Sequence, residues 1–131
     1  MPESTKELSG RELDGTIAEL VMGWRKVQYN RATSRLPFKW TGIPPDGHNY
    51  RSEIWHFSSS IEAAMQVVEK LITAKWKIDI QHGDEDDDEW EVILELWIYG
   101  KPLGARLSCC GYGQAATLPE AICRAALEAF K

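Results

Sequence analysis

The fold is decided by residues 76–99, which read WKIDIQHGDEDDDEWEVILELWIY. Apolar and polar residues alternate over positions 76–81, a pattern typical of a strand that buries one face, and Val92, Leu94, Leu96 and Ile98 share one face of a longer strand predicted at 90–99. A short turn signal at 100–102 then precedes a third apolar run at 103–110. Because sequential strands with short connections usually pair with each other, this region predicts an antiparallel meander of at least three strands.

Three segments outside the meander have the 3.6-residue apolar period of amphipathic helices. Each begins with a Ser or Thr three positions before a Glu, a capping box whose side chains satisfy free amides of the first turn. The three caps are Ser9, Ser59 and Thr117. Such helices can cover both faces of a small sheet. The sequence therefore predicts an α+β fold, a three-layer α/β/α sandwich with three helices, formed by one domain at 9–131 after a flexible N-terminus at 1–8.

Charge is distributed unevenly along the chain. The formal net charge of the 131 residues is -5, but six consecutive acids at 84–89 account for all of it. No apolar run approaches the roughly 20 residues of a membrane helix, and the first residues lack the basic and apolar regions of a secretory signal. The sequence thus predicts a cytosolic protein without a membrane partner, in which the three cysteines are free thiols.

The sequence contains no recognisable catalytic or metal-binding set. The three histidines lack zinc-site spacing. The acids at 84–89 follow an EF-hand loop in part, but Glu89 stands where that loop requires glycine, so a solvated hairpin tip is favoured. Residues 111–116 match a GxGxxA dinucleotide fingerprint without its βαβ context, and we expect the two glycines to turn the chain into the third helix. No enzyme activity, metal or cofactor is predicted.

The segment 25–57 has the most unusual composition. Between residues 25 and 52 it holds six basic residues, one acid and several aromatic residues. We expect it to be mostly irregular, with short strands at 38–40 and 54–57. Guanidinium groups bind phosphate oxygens in a fork geometry, and aromatic faces stack on bases. The candidate ligand-binding residues are Arg25, Arg31, Arg35, Lys39, Trp40, Tyr50 and Arg51. In the alternative interpretation, the aromatic residues only pin a long loop to the core while the basic side chains are solvated.

Three stretches, at 11–24, 60–71 and 119–127, together resemble the phage ABA sandwich domain family, whose members are small proteins encoded by phages and prophages. The resemblance spans about residues 9–130 and implies a helix-sheet-helix sandwich in the cytosol of a host bacterium. It implies no catalytic activity or ligand that can be transferred to individual residues. The acidic run at 84–89 departs from the family pattern.

Several functions fit this sequence. The first is a non-catalytic binding protein that captures a small nucleotide-like anion through the basic segment, as a phage anti-defence sponge for host nucleotide immune signals. The second is a protein-interaction module that docks its acidic tip on a host protein. A structural or accessory phage protein is a third alternative, whereas direct nucleic-acid binding is disfavoured by the acidic total charge. An apolar patch around Trp97 and Tyr99 also predicts a homodimer.

Overall fold

The computed structural model describes residues 10–29, 40–45, 51–83, 88–100 and 104–130. Three helices and six strands follow one another in these ranges: α1 (Gly10–Leu20), β1 (Arg25–Tyr29), β2 (Trp40–Ile43), β3 (Ser52–Glu53), α2 (Ile61–Thr73), β4 (Lys77–His82), β5 (Trp90–Gly100), β6 (Gly104–Ala115) and α3 (Leu118–Phe130). The strands form two antiparallel three-stranded sheets, β1-β2-β3 and β4-β5-β6. The α+β class, the three helices and the antiparallel meander are confirmed, and the arrangement is consistent with an ABA sandwich.

The meander β4-β5-β6 is the larger sheet. Strand β4 pairs with β5 from Lys77 opposite Glu95 to His82 opposite Trp90. Strand β5 pairs with β6 along its whole length, with one irregularity between Leu96 and Trp97. Helix α3 packs on β5 and β6, and helix α2 packs on α3 and β4. Alternation along β5 therefore places Val92 and Leu94 in the core, where both are fully buried.

Two glycines of β6 lie directly under helix α3. A Cβ atom on Gly113 would lie 2.3 Å from the carbonyl oxygen of Ala121, and one on Gly111 would lie 2.4 Å from that of Ala125. The turn predicted at these glycines is wrong, because β6 continues through them to Ala115. Their role is to let the helix backbone approach the strand backbone more closely than any side chain would allow.

The N-cap of helix α2 lies one residue after the predicted N-cap. The cap is Ser60, not Ser59, and the Ser60 hydroxyl accepts a hydrogen bond from the amide of Ala63 at 3.3 Å. The helix buries Ala64, Val67, Val68 and Leu71 against the core. The side chains of Ile61, Met65 and Ile72 are exposed instead.

The smaller sheet β1-β2-β3 differs most from expectation. Strand β1 was not predicted. Strand β2 begins at Trp40, which is the last residue of the short strand predicted at 38–40. Residues 38 and 39 lie outside the described residues. The strand predicted at 54–57 is wrong, because β3 ends at Glu53 and the next residues form a turn before α2. Ile54 and Phe57 are nevertheless fully buried, so their apolar character reflects core packing in a turn.

Helix α1 joins the two halves of the core, since it contacts β1 and β2 as well as α3. Its buried Asp14 forms an ion pair with Arg11 at 2.6 Å and accepts a hydrogen bond from the amide of Ser58 at 2.7 Å. Arg11 in turn donates to the carbonyl oxygen of Ile54 at 2.5 Å. These bonds hold the start of α1 against residues 54–58, and thereby fix the helix relative to the smaller sheet.

Candidate functional site

A cleft opens between helix α1 and the smaller sheet. Its volume is about 440 Å³, and its lining residues are Glu12 and Thr16 on α1, Tyr29 on β1 and Trp40 on β2. Tyr29 and Trp40 lie directly opposite each other in the antiparallel register. Their ring centroids are 5.4 Å apart with an interplanar angle of 70°, an edge-to-face pair. One wall of the cleft is therefore aromatic.

The other wall is polar and comes from one face of α1. Glu12 and Thr16 are four residues apart, so their side chains are neighbours on the helix surface. The Thr16 hydroxyl donates a hydrogen bond to the carbonyl oxygen of Glu12 at 3.0 Å. What Thr16 still offers to the cleft are oxygen lone pairs, and an ionised Glu12 carboxylate also only accepts hydrogen bonds. This wall favours ligand groups that carry N–H or O–H donors.

Of the seven predicted ligand-binding residues, Trp40 alone is among the residues that line this cleft in the described part of the chain. Its ring lies on α1 at Gly15, where a Cβ atom would be 2.9 Å from Trp40 Cε3. The absence of a side chain at Gly15 thus allows the indole to lie flat against the helix. Four of the other candidates, Arg31, Arg35, Lys39 and Tyr50, lie outside the described residues.

Arg51 has a bracing role in the smaller sheet. Its Nη1 atom donates to the carbonyl oxygen of Lys26 at 2.8 Å and to the hydroxyl of the buried Thr41 at 3.0 Å. The Lys26 backbone has a φ of 52°, a left-handed conformation that is costly for a residue with a side chain. It lies where the β1–β2 register shifts, between Arg25 and Gln28. Arg51 therefore stabilises a strained bulge. This structural role does not require a bound ligand.

Arg25 lies at the end of β1 farthest from the cleft. It is exposed and pairs with Ile43, whereas Tyr29 at the other end pairs with Trp40. Tyr29 is four positions after Arg25, which corresponds to about 13 Å along a regular strand. The structure thus separates Arg25 from the aromatic wall that contains Trp40.

The residues that sequence reasoning missed are Glu12, Thr16 and Tyr29. Glu12 was interpreted only as part of a capping box, and Thr16 carried no signal beyond its spacing from Glu12. Tyr29 was one of several aromatic residues interleaved with the basic ones. The spacing of Glu12 and Thr16 could have shown that they share a helix face, but not that β1 and β2 face it.

A second cleft, of about 410 Å³, lies at the start of helix α2. The residues that line it are Trp55, His56, Ser60, Glu62, Ala63 and Gln66. Some of its polar groups already have partners, because Ser60 caps the helix and His56 Nε2 lies 3.5 Å from Glu53 Oε2. Among the described residues, none of the predicted ligand-binding residues lines this second cleft.

The two cysteines whose side chains the structure describes, Cys110 and Cys123, differ in burial. Cys123 is fully buried in α3, and burial, with smaller contributions from Asp14 and Glu120, raises the pKa of its thiol far above the ordinary value. It therefore stays protonated and acts as a small apolar residue. Cys110 is exposed and unpaired to another cysteine. Within the described ranges, no three His, Cys, Asp or Glu side chains are grouped so that they could hold a metal ion.

The acidic tip, residues 84–89, is described at Asp88 and Glu89 only. The Asp88 side chain is fully exposed and its Oδ1 lies 3.9 Å from Nε2 of His82, whose ring packs edge-on against Trp90. The dimer predicted around Trp97 and Tyr99 stays a prediction. Trp97 is half-buried and donates to Glu95 at 3.1 Å, and the side chain of Tyr99 lies outside the described part. No helix in the described ranges is long and apolar enough to cross a membrane.

Comparison with known proteins agrees with the fold. The profile of a family described as the phage ABA sandwich domain matches residues 15–127, which include most of α1 and α3 and everything between them. The 2.0 Å crystal structure of a phage protein from Bacillus cereus ATCC 14579 is similar, with 25% sequence identity and a TM-score of 0.53 over 94% of this chain and 88% of that one. A comparison with curated proteins gives no match. Since the profile covers most of its length, the chain belongs to the phage ABA sandwich domain family.

Proposed function

We propose that this small phage protein is a non-catalytic binding protein that captures a nucleotide-like anion in the cytosol of the host bacterium. The observation that supports this proposal is the position of Tyr29 and Trp40. They form the aromatic wall of the cleft, and they are also the two residues between which the basic segment 30–39 is inserted. A binding surface for bases and a source of positive charge are thus joined directly in the chain.

The aromatic wall is suited to a flat ligand group. The Tyr29 side chain is 57% exposed although its ring packs against Trp40, so it remains accessible to a ligand. Stacking of a base on such a ring contributes about 1–3 kcal/mol and does not depend strongly on the base. This wall accounts for binding of the ring system of a nucleotide.

The phosphate groups would be bound by the basic segment. Residues 30–39 contain Arg31, Arg35 and Lys39 and no acid. In the antiparallel β1–β2 pair the segment leaves from Tyr29 and returns at Trp40, so it begins and ends at the cleft. Fork-shaped guanidinium groups suit phosphate oxygens. Tyr50, next to Arg51 in the sequence, is a further proposed contact, whereas Arg51 braces the smaller sheet.

Binding without conversion gives the protein a function by sequestration. A protein that holds a nucleotide lowers its free concentration, and host nucleotide immune signals are the ligands whose removal would benefit a phage. The proposed activity therefore depends on affinity and on the number of protein molecules per ligand, and needs no catalytic group in the cleft.

Calorimetric titration with a panel of linear and cyclic nucleotides tests the proposal. We expect at least one nucleotide to bind, and Tyr29→Ala to weaken it about tenfold or more, since a stacking face is lost. Tyr112→Ala is the matched control, because Tyr112 is also exposed but lies on β6 in the other sheet. No heat across the whole panel, or an equal loss in both variants, would contradict the proposal.

A second titration tests the basic segment. Replacing Arg31, Arg35 and Lys39 with Gln should weaken nucleotide binding and reduce its dependence on salt, because screened charge attraction is removed. Replacing the exposed Lys70, Lys75 and Lys77, which lie on α2, β4 and the turn between them, removes the same number of charges away from the cleft and should leave binding unchanged. Unchanged binding in the first variant would exclude the basic segment.

A second candidate function is docking of the acidic tip on a basic surface of a host protein. The full exposure of the Asp88 side chain favours it, since that charge is available to a partner. Replacing residues 84–89 with Ser and Gly should then abolish capture of the host protein by the immobilised chain. Capture that persists without the six acids would remove the tip from the interaction.

A further inference from the structure

We infer that the cleft between α1 and the smaller sheet selects guanine, with Glu12 as the residue that determines base specificity. This inference rests on the proposed function, because it names the base of the nucleotide that the cleft would hold. It begins from a feature that a simple anion site does not explain: a carboxylate stands in the lining of the cleft.

The polar wall presents hydrogen-bond acceptors. The Glu12 side chain is exposed on α1 and, among the described residues, makes no ion pair or hydrogen bond. The Thr16 proton is already donated to the backbone carbonyl of Glu12, so its oxygen adds a further acceptor one turn along the helix. Tyr29 has a phenol that can donate or accept. A ligand that fits must therefore bring donors to the α1 side.

Guanine meets this requirement better than the other bases. Its N1–H and N2–H₂ groups are adjacent donors that can bond to the two oxygens of one carboxylate. Adenine and cytosine place a ring acceptor beside their single amino group, which would face the second carboxylate oxygen and repel it. Uracil offers one N–H group between two carbonyl oxygens. The acceptor pair on Glu12 thus discriminates among bases by their donor pattern.

The cleft can present both the stacking face and the carboxylate to one ring. Glu12 and Thr16 flank Gly15 on α1, and the Trp40 ring lies on that glycine. A base stacked against the aromatic wall would then have its edge toward the carboxylate. The helix itself is fixed by the hydrogen bond from the Ser58 amide to Asp14 and by that from Arg11 to the Ile54 carbonyl oxygen, so Glu12 projects from a rigid element.

The charge of Glu12 also orients the nucleotide. A phosphate group placed near a carboxylate is repelled, so the ligand's phosphates must lie away from α1. A nucleotide in this cleft would therefore lie with its base toward the helix and its phosphates away from Glu12.

Titration of the full chain with guanosine, inosine and adenosine, and with their monophosphates, tests this inference. Inosine keeps N1–H but lacks the amino group of guanosine. We expect guanosine monophosphate to bind about tenfold or more tightly than adenosine monophosphate, with inosine monophosphate between them, as expected for hydrogen bonds to a charged group. In Glu12→Gln, which has one acceptor and one donor, this preference should nearly disappear. Glu19→Gln, which changes another exposed acid of α1, should keep it.

The outcomes separate the inference from the proposed function. Nucleotides that bind without base preference would overturn the guanine inference and leave the proposed function standing. Guanosine that binds as tightly as its monophosphate would support the base site and contradict the anion role. If no nucleoside or nucleotide binds, both fall. Binding of N-acetylarginine amide instead of guanosine would overturn the inference in favour of a protein partner. The Glu12 side chain is exposed, so thermal unfolding of Glu12→Gln should match that of the parent protein.

Discussion

The indole of Trp40 lies against Gly15 so closely that a Cβ atom on this glycine would be 2.9 Å from Trp40 Cε3 and 3.0 Å from Cζ3. A glycine inside a helix usually costs about 1 kcal/mol relative to alanine. Here the cost is offset by the contact that it allows. The position of the aromatic wall is consequently set by an α1 residue that has no side chain.

Gly15→Ala should lower the free energy of unfolding by about 1 kcal/mol, because the overpacking penalty exceeds the gain in helix propensity. The measurement is urea denaturation followed by tryptophan fluorescence. The same substitution in a Trp40→Phe background should cost less, since the smaller ring leaves room for the methyl group. An equal loss in both backgrounds would contradict the assigned contact.

Gly113→Ala should destabilise the fold more strongly, by about 3 kcal/mol or more, because backbone atoms cannot move aside as a side chain can. The added methyl group would meet the Ala121 carbonyl oxygen at 2.3 Å and the Ala125 amide nitrogen at 2.4 Å. Gln114→Ala is the control on the next, exposed residue of β6, and its effect should remain within about 0.5 kcal/mol. A stable Gly113→Ala protein with unchanged circular dichroism would show that α3 packs less closely than described.

Asp14→Ala should cost about 3–5 kcal/mol, because it leaves the Arg11 guanidinium without its buried partner and the Ser58 amide without an acceptor. Asp14→Asn should cost less, since the amide oxygen can still accept from Ser58. Denaturant unfolding gives both values. Asp79→Ala, on exposed β4, should be nearly neutral. If Asp14→Ala were no worse than Asp79→Ala, the bonds would not anchor α1.

Cys123 should make stability fall as the pH rises above about 9. Burial raises the pKa of its thiol in the folded state from an ordinary value of 9.0, so above that pH the unfolded chain loses a proton that the folded chain keeps. The unfolded state is then favoured, by up to about 1.4 kcal/mol per pH unit. Urea unfolding from about pH 8 to about pH 10.5, a range that includes the ordinary pKa of a thiol, would measure this loss of stability.

Two variants separate the contribution of Cys123 from that of other groups. Cys123→Ala should flatten the decline, whereas Cys110→Ala should preserve it because Cys110 is exposed. Labelling at neutral pH should agree: a thiol reagent should modify Cys110 in the native protein and reach Cys123 only in denaturant. Rapid native labelling of Cys123 would show that α3 does not protect it.

The parts of the fold that the sequence predicted are those with a strong period. Helix α2 shows the 3.6-residue pattern, and β5 has an apolar residue at every second position from Val92 to Ile98. Strand β1 has a single aliphatic residue, Val27, and owes its conformation to pairing with β2. The two β6 glycines were interpreted as a turn because the closeness of α3 is a tertiary property. The local sequence pattern therefore predicted most of the helices and strands, but not the contacts between them.

The candidate site was predicted at Trp40 and through the basic character of its segment. Glu12 and Tyr29 are 17 positions apart in the sequence, and they line one cleft only because α1 packs on β1 and β2. Arg51 matched the expected chemistry, yet the strained carbonyl of Lys26 already uses its guanidinium. Composition identifies which groups are available, but packing decides which of them remain for a ligand.

The hydrogen bond from Ser58 to Asp14 joins residues 44 positions apart and so encloses the smaller sheet and the segment 30–39 in one closed loop. The entropy of closing a flexible loop grows slowly, by about 0.6 kcal/mol for each doubling of its length. Insertions or deletions between Tyr29 and Trp40 would thus change little in the stability of the framework. The framework of the domain therefore tolerates changes in the length and charge of this segment at little cost in stability.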